Sequence, residues 1–170
     1  FTANLPFVDE FTIGATYKIT PKWLVSGDFN YSGWDRYSKL TLTFDNAKIG
    51  NEPNVVGSKV LTSPKNFHNT KTFRFGTQYQ ISDMIALRAG YYYDESPYTD
   101  KNFQAETPSF DSSVITAGLG FNVSKSFGVD LAGGIAFPES RKVNNTYNNF
   151  VGQAKAKAYY FGLGLHYNAF

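Results

Sequence analysis

The chain has no cysteine, which excludes a disulfide framework, a thiolate zinc site and a cysteine nucleophile together. Methionine occurs once and tryptophan twice. No apolar run approaches the roughly 18 residues that a membrane-crossing helix needs, and mean hydropathy is negative. A helical span is therefore excluded, but a membrane barrel is not, because its strands carry no such signal. Basic and acidic residues nearly balance, giving a formal charge of +2. They are interspersed, without the basic stripe that nucleic acid demands, so no nucleic-acid partner is expected. The opening FTANLPFVDE has no basic start, apolar core or small-residue cleavage site, and no secretory leader is expected in it.

What the chain has in abundance is Phe (16) and Tyr (12), set out with a period of two. Phe11, Ile13, Ala15, Tyr17 and Ile19 alternate with Thr12, Gly14, Thr16 and Lys18; after Thr20-Pro21-Lys22 the alternation resumes with Trp23, Val25, Gly27, Phe29 and Tyr31. Such strict alternation predicts two strands of one hairpin. Residues 70–81 and 84–95 repeat the plan around Ser82-Asp83, residues 113–123 and 127–137 repeat it around Ser124-Lys125-Ser126, and a last strand is expected at roughly 154–168. Seven strands result, with turns of two or three residues alternating with long polar connections at roughly 45–69, 96–111 and 139–153. An outer-membrane barrel has this asymmetry, with short periplasmic turns and long extracellular loops.

Aromatic placement on the odd-numbered face agrees. Tyr17, Trp23, Tyr79, Phe121, Phe127 and Tyr167 fall near the short turns or the chain end; Phe11, Tyr31, Phe73, Tyr93, Phe137 and Tyr159 fall near the long loops. Two aromatic girdles around an aliphatic band are what two headgroup interfaces select. A soluble sandwich or lipocalin-like barrel would bury the same face, but its wet side would carry more Lys and Glu than the Gly, Ser, Thr, Asn and Gln found here. The expected fold is an all-β, antiparallel transmembrane barrel of outer-membrane type, with odd positions facing lipid and even positions facing the lumen.

The stretches "LPFVDEFTIGATYKITPKWLVSGDFNYSGWDRY", "LRAGYYYDESPYTD" and "AYYFGLGLHYNAF" resemble the C-terminal half of FadL-type outer-membrane transporters, which pass long-chain fatty acids and other hydrophobic molecules. The resemblance runs over most of residues 5–170 and is weakest in the long loops. It implies a bacterial outer-membrane location, a barrel of about fourteen strands, an N-terminal plug and a lateral opening. Residues 1–170 would then be the C-terminal part of a single barrel domain, with the plug and early strands assigned to no residue here. The implied partners are outer-membrane lipid, hydrophobic small molecules, and the missing N-terminal half or other chains. A FadL-like barrel serving as a structural subunit of an envelope or secretion complex is the alternative. Strand direction agrees with a missing part: seven strands start on one side and end on the other, so an odd number of further strands is expected before Phe1. Phe170 resembles a C-terminal assembly signal, but the apolar residues Tyr167, Leu165 and Leu163 have the opposite parity. A one-residue bulge near Asn168 would reconcile them.

The lumen face carries Glu10, Lys18, Asp28, Arg74, Arg88, Asp94 and Asp130. Counted from the short turns, Asp28, Arg74 and Arg88 stand at similar heights on consecutive strands, as a charge ladder. With Asp94 they are candidate ligand-binding residues, since an arginine fork matches a carboxylate headgroup. The competing reading is a network that holds the wall together, because charges in a narrow lumen pair. Phe67, Phe103, Phe110 and Phe150 lie in or beside polar loops and are candidates for a hydrophobic capture patch, or else pack the loops against each other. His68 and His166 have no nearby Ser-Asp signature and make no metal motif. No enzyme activity, metal or cofactor is expected, and the acceptor-like Asn144-Asn145-Thr146 is too short a pattern to use.

Overall fold

The computed structural model describes residues 2–44, 60–103, 105, 108–145 and 149–167. Its strands in chain order are β1 (Thr2–Asn4), β2 (Asp9–Thr20), β3 (Trp23–Gly33), β4 (Lys39–Thr43), β5 (Val60–Pro64), β6 (Thr70–Gln80), β7 (Ile85–Asp94), β8 (Ser112–Asn122), β9 (Phe127–Pro138), β10 (Arg141–Asn145), β11 (Phe150–Ala154) and β12 (Ala158–Tyr167). Seven of them form one antiparallel sheet in the order β2-β3-β6-β7-β8-β9-β12. Each is 10 to 12 residues long, close to the 9–11 residues of a tilted bilayer crossing.

The short connections close by local chemistry. At the first, Lys22 N donates to Thr20 Oγ1 at 3.3 Å, and the register steps from Lys18↔Leu24 to Thr20↔Trp23, leaving Ile19 in a bulge that tightens the local twist. At the third, the Ser124 hydroxyl accepts from the backbone amides of Ser126 and Phe127 at 3.2 and 3.0 Å.

The long connections are more ordered than their polarity suggests. The first begins at Trp34, not near residue 45, and pairs β4 with β5 as a hairpin that β1 extends. The third contains the hairpin β10–β11, so β12 starts at Ala158 rather than near 154. These segments pair outside the main sheet. The bulge expected near Asn168 lies outside the described residues.

Exposure runs opposite to that of a soluble protein. The odd, apolar positions of the sheet face outward: Phe75 is 61% exposed and Phe161 90%. The buried set includes polar residues of even parity, among them Asn30, Ser32, Thr70 and Thr72. Side chains two strands apart meet on the even face, where Arg88 of β7 reaches Asp130 of β9 over Gly120 of β8. Such convergence marks that face as concave. Lipid therefore meets the odd face, and the soluble alternative is set aside. Within the described residues β2 and β12 are the outer strands of an open sheet.

Candidate functional site

At the loop end of the concave face lies a cleft of about 720 Å³. Its floor is strand-borne and polar: Asn30 and Ser32 come from β3, Thr70, Thr72 and Arg74 from β6, and Asp94 from β7. These side chains satisfy one another. Asn30 Nδ2 donates to Thr12 Oγ1 at 2.7 Å, Ser32 Oγ to Asn30 Oδ1 at 3.0 Å, and Thr72 Oγ1 to Asp94 Oδ1 at 2.6 Å. Arg74 Nη1 donates to Asp28 Oδ1 at 2.8 Å, across a rung where the two residues are register partners. That bond occupies one of the five N–H donors of the guanidinium, and the Arg74 side chain is about half exposed.

The roof is aromatic and comes from the loops. Phe67 packs against Trp34, Tyr37 and Tyr98 with ring centroids 5.8, 5.6 and 4.8 Å apart. Tyr98 then meets Phe103 at 6.3 Å and Phe103 meets Phe110 at 5.7 Å. Phe103, 2% exposed, sits deepest. Buried amides tie the three loops together. Asn102 Nδ2 donates to the carbonyls of Lys65 and Asn66, Asn102 Oδ1 accepts from the Thr99 amide and hydroxyl, and Asn145 Nδ2 donates to the Phe103 carbonyl at 2.6 Å. Arg141 donates to the Tyr98 carbonyl and stands 3.9 and 3.8 Å from Asp100 and Asp111. Of the four loop aromatics singled out in the sequence, three thus lie in one row. Phe150 lies on β11, exposed, opposite Asn145.

The charge ladder resolves into two groups. Height counted from a turn ignores the hairpin register, which puts Arg74 opposite Tyr92 and Arg88 opposite Gln78. Arg88 is thereby four residues, roughly 13 Å along the strand, nearer the short turns than Arg74. It donates from Nε to Gln78 Oε1 at 2.8 Å and from Nη1 to Asp130, whose other carboxylate oxygen lies 3.3 Å from His166 Nδ1. Glycine makes this possible: a Cβ on Gly120 would fall 2.9 Å from Asp130 Oδ1 and 3.1 Å from an Arg88 nitrogen. Arg74 and Asp94 thus line the cleft, with Asp28 paired to Arg74 beside it, and Arg88 belongs to a separate cluster nearer the short turns. Asp130, Gln78 and His166 were absent from the sequence-derived site; shared lumen parity combined with cross-strand register is the signal that finds them. Among the described residues no group of side chains is arranged to hold a metal ion.

A family model described as outer membrane protein transport protein (OMPP1/FadL/TodX) matches residues 2–169. The chain belongs to this family. It is 24% identical over 166 residues to the long-chain fatty acid transport protein of Escherichia coli strain K12, covering 98% of this chain and 34% of that protein. It is 25% identical over 182 residues to outer membrane protein P1 of Haemophilus influenzae, covering 98% and 36%. A Pseudomonas aeruginosa FadL homologue has a similar fold, with a TM-score of 0.75 over 92% of this chain and 34% of that one, at 17% identity. The chain spans about a third of the length of the curated relatives it matches. Like other members of the FadL family, it is an outer-membrane protein built of barrel strands.

Proposed function

We propose that this protein serves the uptake of hydrophobic compounds, long-chain fatty acids among them, through a barrel to which these seven strands contribute. The observation that carries the reading is the cleft at the extracellular mouth of the concave face. An aromatic roof of Trp34, Tyr37, Phe67 and Tyr98 stands over a polar floor holding Arg74, as an apolar chain with one charged end requires. The aromatic roof takes the chain, and the remaining N–H groups of Arg74 donate to a carboxylate as a charge-assisted fork. Arg88, already shared between Gln78 and Asp130, braces the wall. The role is passive: the groups at the cleft bind and orient.

The open edges of β2 and β12 belong, in this reading, to seams with strands outside these 170 residues. An unpaired edge in hydrocarbon costs several kcal/mol per unsatisfied group by the usual magnitude. The intact mass of the natural protein tests that part; a closed barrel of one 19.0 kDa chain refutes it. The transport reading is tested with the full-length protein by fatty-acid binding and by restoring fatty-acid uptake to a transport-deficient strain. Failure of both overturns it.

A further inference from the structure

A second apolar surface lies on the outer wall, away from the cleft. Two shallow hollows of about 470 and 570 Å³ share Ala117, Gly133 and Phe161 and so form one trough. It runs from Phe137 and Tyr159 near the loops to Leu119 and Leu131. Along β9, Phe137 to Leu131 is six residues, roughly 20 Å. With the usual barrel tilt of about 40° this is roughly 15 Å of depth, half of the ~30 Å hydrocarbon layer. The trough therefore opens at the extracellular headgroup level and crosses that leaflet, its lower hollow extending sideways to Leu87 and Tyr79.

Its rim is charged. Beyond Tyr159 the next residues of the same parity are Lys157 and Lys155, both exposed, and neither makes a hydrogen bond or ion pair among the described residues. Glu139, two residues beyond Phe137, is the acidic neighbour on the same rim. Asp111, whose carbonyl accepts from the Glu139 amide, is a second acid there and stands 3.8 Å from Arg141, so Lys155 and Lys157 are the cations the rim offers to an outer headgroup.

We propose that this trough, with Lys155 and Lys157, is a binding site for a phosphorylated glycolipid of the outer leaflet. One acyl chain lies over Ala117 and Gly133, and its phosphate meets the lysine pair. The chemistry is an electrostatic and apolar match: lysine binds phosphate as a point charge, and cations near an anionic headgroup layer gain about fivefold in affinity each. The site is independent of the uptake cleft, which opens on the other face of the sheet.

The test uses the full-length protein in mild detergent, exposed to purified lipopolysaccharide, with retained lipid counted by native mass spectrometry. Folding of each variant is checked by its heat-modifiable gel mobility. Lys155→Glu with Lys157→Glu should weaken retention by about thirtyfold or more, the product of two such effects. Glu139→Gln should strengthen it, and dephosphorylated lipid should bind the parent as weakly as intact lipid binds the double variant. Gly133→Leu should also displace the lipid. A Cβ there meets nothing nearer than 3.7 Å, so the barrel has room for the change and the trough is what it fills. Retention within twofold of the parent in the lysine variant overturns the proposal, as does retention of phosphatidylcholine by the parent as strong as that of lipopolysaccharide. If Gly133→Leu fails to fold, the lysine variant decides alone.

Discussion

Replacing Phe67 by alanine removes the ring that joins the first extracellular loop to the second. Phe67 is 9% exposed and touches three other rings, so the change falls in the class of buried Phe→Ala substitutions, which cost about 3–5 kcal/mol. That figure already includes the ring pairs, worth about 0.5–1.5 kcal/mol each. The loss falls on the loops. The barrel strands are held by their own backbone ladders, whereas the loops cohere through a few buried groups: Phe67 on Tyr98, Asn102 on the carbonyls of residues 65 and 66, and Arg141 and Asn145 on the second loop. At about 1.4 kcal/mol per tenfold, hydrogen-exchange protection in the loops should drop by roughly two to nearly four orders of magnitude. It should drop together in residues 60–69, 95–103 and 139–145. Hydrogen exchange read by mass spectrometry on the full-length protein measures this, with β3, β6, β7 and β8 unchanged. Loss confined to residues 60–69 would refute the idea of a jointly folded cap, and equal loss in the barrel strands would refute its independence from the wall.

Leu131→Arg, on the lipid-facing side, should destabilise the barrel by about 2–4 kcal/mol in vesicle refolding, whereas Ala132→Arg, its lumen-facing neighbour, should cost far less; equal costs would contradict the assignment of faces. Arg74→Ala should weaken fatty-acid binding about 10- to 100-fold, the worth of a hydrogen bond to a charged group, and leave a neutral apolar ligand bound as before; equal loss for both ligands, with a lowered thermal midpoint, would make Arg74 a wall residue only. Gly120→Ala pushes a methyl between Asp130 and Arg88, but the displaced atoms are flexible ends of partly exposed side chains, so urea titration should move by no more than about 1 kcal/mol. Combined with Arg88→Ala the two effects should not add, and full additivity would show that the pair is not formed.

Alternation made the barrel strands readable because lipid on one side and lumen on the other impose opposite demands on successive residues. The seven sheet strands, their antiparallel hairpins and the faces of Phe75, Arg74 and Arg88 follow from parity alone. Parity could not separate β4, β5, β10 and β11 from loop, since a hairpin outside the bilayer meets water or loop core on both sides and keeps no strict pattern. Nor could it place Arg88 relative to Arg74, because rungs depend on where each hairpin turns and on the Ile19 bulge. Asp130 and His166 were visible as lumen-side residues, but their meeting with Arg88 needs the bare backbone of Gly120 and a fourth strand far along the chain. The loop row was half legible: Phe67, Phe103 and Phe110 stood out as costly to expose, while Trp34, Tyr98 and the buried amides of Asn102 and Asn145 looked like ordinary loop composition.

Each seam of the main sheet joins a strand to its nearest neighbour in the chain order of the barrel strands, from β2 through β12. A wall of this kind is modular. Its smallest removable or duplicable unit is one hairpin, because two strands and their short turn leave and re-enter on the same side of the membrane. Gain or loss of such a unit alters the circumference of the pore without reversing any other strand or exchanging its lipid and lumen faces. Ancestral barrels of this design could therefore widen or narrow by copying a gene segment, while a single-strand step would have inverted every loop that followed.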